Sequence, residues 1–188
     1  MNILIFNLLV FLFITLPLTS HANEAQYRFA DHVKFQYAGE IGTIATGIGK
    51  NFGSFYSLDF FYGYVPEAIG GTEIETFSLK NDFKLFNSNF FKTSQDYYFG
   101  VNIYHVTSLR YQTSRGRSFP DEYYRLGSVR ALFYLGIDIR SNKKYRNHSG
   151  FFEAGINDIV LTNYINNSDV INPLDYASLA LGYKFDFN

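Results

Sequence analysis

The feature that most constrains this chain is a strict alternation of apolar and polar residues over long stretches. Across residues 128–140, Val129, Ala131, Phe133, Leu135, Ile137 and Ile139 fall on one parity. Ser128, Arg130, Leu132, Tyr134, Gly136, Asp138 and Arg140 fall on the other. Successive side chains of a strand point to opposite faces, so the segment reads as a β-strand with one apolar and one mostly polar face. The same division recurs over residues 26–38, 55–65, 97–109 and 174–187. Weaker versions run over about 43–50, 73–86 and 150–162, where Asn81 and Asp158 fall out of step. The pattern predicts eight strands, provided that residues 39–42 form a hairpin; a straight run through them would leave seven.

Most of these segments are longer than the roughly 5 or 6 residues of strands in soluble sheets and close to the roughly 9–11 of a membrane-spanning strand. The connections alternate in character. Residues 51–54 make a tight turn, whereas 66–72, 111–127 and 163–173 are longer and polar or turn-rich. An even strand count leaves both ends of the sheet on one side, as a single-chain exported barrel requires. The predicted fold is therefore all-β: an eight-stranded antiparallel up-and-down transmembrane β-barrel.

Alternation alone does not say which face points inward. A soluble, lipocalin-like barrel would bury the apolar face. A membrane barrel would turn it outward and hold Asp59, Lys80, Asp82, Arg130, Asp138, Glu153 and Lys184 in the lumen. Three features favour the membrane: strand length, aromatic load and the C-terminus. Aromatics make up 20% of the chain, with 21 Phe and 16 Tyr, against 18% charged residues. Tyr27, Tyr37, Tyr56, Tyr64, Tyr97 and Tyr183 sit near strand ends, where interfacial girdles form. The C-terminal run Gly182-Tyr183-Lys184-Phe185-Asp186-Phe187-Asn188 resembles the Gly-x-x-aromatic-x-aromatic signal that outer-membrane barrels present to the β-barrel assembly machinery. Ala180, where a polar residue is usual, and the trailing Asn188 depart from it. An eight-stranded barrel is filled by its own side chains, which makes an ion-paired plug a better expectation than a porin.

Residues 1–22 contain no Lys, Arg, Asp or Glu, and an apolar run over residues 3–18 ends in Thr19-Ser20-His21-Ala22. That run is shorter than the ~20 residues of a spanning helix, and the small residues suit cleavage after Ala22. Residues 1–22 are thus expected to be a signal peptide and 23–188 the barrel domain, destined for the cell outer membrane of a Gram-negative-type envelope. A leader of this kind usually opens with a Lys or Arg; here only the terminal amine is present. The net charge of −1 supplies no basic surface for nucleic acid, and the absence of Cys removes disulfides, thiolate metal sites and a lipoprotein anchor.

The run Phe61-Tyr62-Gly63-Tyr64-Val65-Pro66, followed by Ile69-Gly70-Gly71 and Leu79-Lys80, resembles a family of uncharacterised small bacterial outer-membrane β-barrel proteins. So do Phe119-Pro120-Asp121-Glu122-Tyr123-Tyr124 and residues 175–185, so that the likeness spans about 33–187. The resemblance implies the barrel fold and carries no catalytic residues with it.

Chemistry is sparsely signalled. Arg110, Arg115, Arg117 and Arg125 lie in or beside the longest loop with Asp121 and Glu122. Arginine forks pair well with phosphate, which makes lipopolysaccharide phosphate a candidate partner beside outer-membrane lipid; a self-paired, solvated loop is the plainer account. Barrels that edit lipid A resemble this chain in strand number and use His with Ser near the outer leaflet. His105 and Ser108 have the right depth, but a spacing of three places them on opposite faces of a regular strand. His148 and Ser149 sit at the opposite end of the barrel. Gly47, Gly49 and Lys50 lack the spacing of a nucleotide loop. No metal spacing or cofactor motif is present. The expectation is a structural or surface-interaction barrel with a polar plug. The alternatives are a lipid A-modifying enzyme (an acyl hydrolase or acyltransferase) and a soluble exported barrel binding an apolar ligand.

Overall fold

The computed structural model describes residues 28–107, 129–141, 147–166 and 172–187. Eight strands form one closed barrel in sequence order: β1 (His32–Ala38), β2 (Ile44–Phe52), β3 (Tyr56–Val65), β4 (Ile74–Phe90), β5 (Thr93–Val106), β6 (Val129–Ser141), β7 (His148–Asn157) and β8 (Ser178–Asp186). Each strand pairs antiparallel with the next, and β8 closes on β1 from His32↔Asp186 to Ala38↔Ala180. The expected hairpin at residues 39–42 is present. Ala38 and Gly39 take positive φ, and the Ala38 amide donates to the Thr43 carbonyl at 2.9 Å. Eight is therefore the strand count.

Strand limits depart from expectation in four places. Strand β1 starts at His32, with Arg28–Asp31 outside it; residues 26 and 27 lie outside the described residues. Strands β4 and β5 run on as one long hairpin through residues 87–96, read from the sequence as a connection, and turn only at Phe91 (φ 54°) and Lys92. A bulge between Lys84 and Phe86 resets the register there, so Phe86 rather than Leu85 pairs with Tyr97. Strand β7 ends at Asn157 rather than near 162, because helix α2 (Asp158–Asn166) begins there. The Asn157 Oδ1 accepts the Val160 amide at 2.9 Å, which caps the first turn. Strand β8 begins at Ser178, after a 3-10 turn over Pro173–Tyr176. A short helix, α1 (Glu67–Gly70), spans the β3–β4 connection and ends on Gly71 in the left-handed region.

The connections divide between the two ends of the barrel. Residues 53–55 and 91–92 lie at the end that carries both termini of the sheet, where β6 also ends. The opposite end carries residues 39–43 and 66–73, the end of β5, and helix α2 after β7.

Burial follows sequence parity. Inside are His32, Lys34, Gln36, Asp59, Lys80, Asp82, Asn102, Asp138, Glu153 and Lys184, all buried. The outer face shows Phe35, Phe60, Phe77, Leu79, Ile103, Phe133, Leu135, Phe152, Leu179 and Leu181, all exposed. Leu135 is 61% exposed, whereas Lys80, one strand-pair away in the lumen, is 1% exposed. The apolar and charged faces are thus inverted relative to a water-soluble protein, whose charged groups are almost never fully buried unless paired. The out-of-step Asn81 is explained by its outward position, where Tyr56 Oη donates to its Oδ1 at 2.8 Å and its Nδ2 donates to the Val101 carbonyl at 3.2 Å.

Candidate functional site: the barrel lumen

Four aromatic side chains fit this narrow interior because glycine stands opposite each of them. Phe61 faces Gly47, Tyr134 faces Gly100, Tyr98 faces Gly136, and Phe151 faces Gly182 as direct cross-strand partners. A Cβ at these glycines would fall 2.7 Å from the Phe61 ring, 2.1 Å from Tyr134, 2.3 Å from Tyr98 and 2.2 Å from Phe151. Glycine is required at those positions for room.

The rings enclose Lys80. Its ammonium lies 4.8 Å from the Tyr134 ring centre, 5.1 Å from Phe61 and 5.8 Å from Phe151, within cation–π reach. It donates to Glu153 Oε2 and, at 2.9 Å, to Gln36 Oε1. Tyr98 Oη donates to Glu153 Oε1 at 3.0 Å, so both carboxylate oxygens are bound. A second cluster lies nearer the terminal end. Lys34 donates to Asp59 Oδ2 at 2.6 Å and to Asp82 Oδ2 at 2.9 Å. Tyr134 Oη binds Asp82 Oδ1, and His32 Nε2 lies 2.5 Å from Asp59 Oδ1. Breaking one partner out of such a buried set leaves an uncompensated charge, the costly outcome for a desolvated pair.

Towards the loop end the filling turns apolar. Residues 39–43 tuck Ile41 into the mouth against Ala45, Phe61, Tyr104 and Leu132. A Cβ on Gly63 would meet the Ile41 carbonyl at 1.9 Å, so this glycine admits the loop. Glu40 fastens it across the mouth by accepting Tyr104 Oη at 3.1 Å and Asn157 Nδ2 at 2.7 Å. Beneath lies a space of about 10 Å³ beside Gln36, Asn102 and Tyr134, room for roughly one water. At the terminal end a wider cavity of about 100 Å³ opens between Lys34, Lys84, Asp82, Asp138 and Lys184.

Of the seven charged residues assigned to the lumen by parity, Asp59, Lys80, Asp82, Asp138, Glu153 and Lys184 are buried there. Arg130 is half-buried at the loop-end rim and pairs with Asp158 of α2 at 2.9 Å. The reading of the sequence missed His32, Lys34 and Asn102 as lumen groups to single out, although their parity marks them. The partners, which join residues up to 117 positions apart, are not legible in the sequence.

The other candidates fare differently. Arg110, Arg115, Arg117 and Arg125, with Ser108, lie outside the described residues. His105 faces outward near the loop end, with Phe77 and Val129 as cross-strand partners, and makes no hydrogen bond to a hydroxyl among the described residues. Thr107 follows two positions later, but its hydroxyl donates to the Glu75 carbonyl at 3.2 Å. His148 Nδ1 is hydrogen-bonded to Tyr183 Oη at the terminal end. Among the described residues no group of three or more His, Asp or Glu could hold a metal ion. Tyr37, Tyr56, Tyr64, Tyr97 and Tyr183 stand on the outer face; Tyr27 lies outside the described residues.

No protein-family model and no curated protein matches the chain. Among solved structures, the outer membrane enzyme PagL is similar over 83% of this chain and 99% of its own, at 13% sequence identity and a TM-score of 0.45. The fold itself is an eight-stranded, closed, antiparallel all-β barrel with a lumen filled by paired charges.

Proposed function

We propose that this chain is an integral outer-membrane barrel with a closed lumen and a structural or surface-interaction role. The observation that carries the reading is the inverted burial: paired charges inside, and an outer belt of Phe, Leu, Ile and Val exposed all round. On the described strands the charged and histidine side chains that face outward stand at the ends, Glu75 and His105 at one and Lys50 and His148 at the other. A band of that kind, with tyrosines at both margins, matches the apolar belt and aromatic girdles of a bilayer-spanning barrel. Left in water it would be an exposed apolar patch far larger than monomeric soluble proteins carry. Under this reading the longer connections face the exterior and the short turns face the periplasm. The arginines at 110, 115, 117 and 125 then approach lipopolysaccharide phosphates, and the C-terminal aromatic strand is the handle for the assembly machinery.

The interior speaks against a soluble barrel with an apolar ligand inside, since charged and hydrogen-bonded groups occupy the middle of the lumen. The proposal is tested by expressing the full chain, separating the membranes and extracting them with and without detergent. The expected result is an outer-membrane fraction, released only by detergent and showing a heat-dependent gel shift. A monomer that stays folded in plain buffer would overturn it.

A further inference from the structure

The wider lumen cavity has features that the plug does not need. Asp138 is buried to 9% exposure, yet it forms no hydrogen bond among the described residues, and its ion-pair partner, Lys184 Nζ, stands 3.9 Å away. Asp96 is its direct partner across β5 and β6, so two carboxylates of like charge face each other on the lumen side. Like charges so placed repel unless a donor lies between or beside them. Asp96 has such donors, Lys84 Nζ at 2.8 Å and Asn87 Nδ2 at 2.6 Å, and Asp138 has none at that distance. Lys184, also buried, rests 3.3 Å from Asp186 and contributes no hydrogen bond among the described residues. A buried carboxylate and a buried ammonium are thus both held short of full pairing, on the wall of one cavity of about 100 Å³. Lys34, on the same wall, gives two of its three donors to Asp59 and Asp82, which leaves one for another partner.

We infer that this cavity binds a small dipolar ion of amino-acid size, its ammonium group set between Asp138 and Asp96 and its carboxylate turned to Lys184 and Lys34. The sign balance of the lining selects this class. Lys34, Lys84 and Lys184 stand against Asp82, Asp96 and Asp138, so the lining is neutral. Lys34–Asp82 and Lys84–Asp96 are closely paired, whereas Asp138 and Lys184 stand 3.9 Å apart. A simple anion or cation would bring an uncompensated charge into such a lining, whereas a molecule with both signs is matched at both ends. The volume accommodates several waters or a molecule the size of glycine. Entry is from the terminal end, because Ile41 and the Lys80 cluster fill the lumen beyond. This inference stands on the lumen alone and holds for the barrel in a bilayer or in detergent.

The test is calorimetric titration of the full chain, purified in a nonionic detergent, with glycine, acetate and methylammonium in separate runs. Glycine is expected to bind saturably, and acetate and methylammonium at least about tenfold more weakly. Asp138→Asn and Lys184→Gln should each weaken glycine by at least about tenfold, the loss of one charge-assisted hydrogen bond. Both variants should keep the wild-type gel shift, and Glu40→Gln, at the other end of the lumen, should keep wild-type affinity. Absence of saturable glycine binding would overturn the inference. So would acetate binding as well as glycine, or unchanged glycine affinity in both lumen variants.

Discussion

Gly100 and Tyr134 are directly opposed across β5 and β6, and a Cβ built on Gly100 would lie 2.1 Å from the tyrosine Cζ. The ring therefore occupies the space that a side chain at position 100 would take, and its hydroxyl reaches Asp82. Gly136 and Tyr98 repeat the arrangement with the strands exchanged. Glycine and aromatic act as one unit of lumen filling.

Gly100→Val should accordingly force the Tyr134 ring out of place and break its bond to Asp82. The expected cost is about 1–3 kcal/mol, the usual range for overpacking a filled interior. Tyr134→Phe, which keeps the ring, should cost less. Urea unfolding of both variants in the same lipid measures the order, and a Gly100→Val protein as stable as wild type would contradict the packing argument.

Lys80→Met removes the charge that sits between three rings and leaves Glu153 buried with Tyr98 as its one donor among the described residues. A loss of about 3–5 kcal/mol is expected for an orphaned buried partner. Adding Glu153→Gln should recover part of that loss, because a neutral amide tolerates the site. Unfolding midpoints of the two single variants and the double variant give the coupling directly.

On the outer face, Leu135→Arg places a charge near the middle of the apolar belt. A cost of about 2–4 kcal/mol is expected in a bilayer, where an arginine at that depth is least tolerated. The same substitution in detergent, where the belt is loosely covered, should be milder. Equal stability of Leu135→Arg and wild type in lipid vesicles would be inconsistent with a membrane-facing side.

Asn157 holds two structures at once: it caps helix α2 through Val160 and fastens Glu40 over the lumen mouth. Asn157→Ala should cost about 1–2 kcal/mol, a lost cap together with a lost hydrogen bond. Amide hydrogen exchange should rise at both Val160 and Ile41. A rise confined to the helix would show that the loop is held by other contacts.

His105 stands among Phe77 and Val129 on the outer face, with no hydroxyl bonded to it among the described residues. His105→Ala is therefore expected to leave the acylation of lipid A unchanged in cells producing the protein. Mass spectrometry of lipid A from cells with wild-type, His105→Ala and Ser108→Ala chains checks this. An acyl chain lost or gained with wild type and restored by both variants would establish catalysis by that pair.

Period two in the sequence was enough to locate the strand segments and to divide nearly every residue in them between two faces. The hairpin at residues 39–42 decided for eight strands rather than seven. Val129 through Ile139 fall outside and Leu132, Tyr134 and Asp138 inside, because side-chain direction in a strand is a local property of the backbone. The same logic put Lys80, Asp59 and Glu153 on one face before any partner was known, and strand length, aromatic load and the C-terminal run pointed that face into the lumen. Who pairs with whom was decided only by closure of the barrel. Lys80 meets Glu153, and Lys34 meets both Asp59 and Asp82, because strands distant in the chain curve round to face one another. The long β4–β5 hairpin and the helix after Asn157 were hidden for a related reason. A bulge and a side-chain cap break the period that would have announced them, and each takes effect through neighbours in space. The glycines at 47, 100, 136 and 182 have the parity of polar residues, and alternation assigns them only a face. Their role as spaces for the rings across the strand exists in the closed barrel alone, where the width of the lumen leaves one side chain's room for each opposed pair.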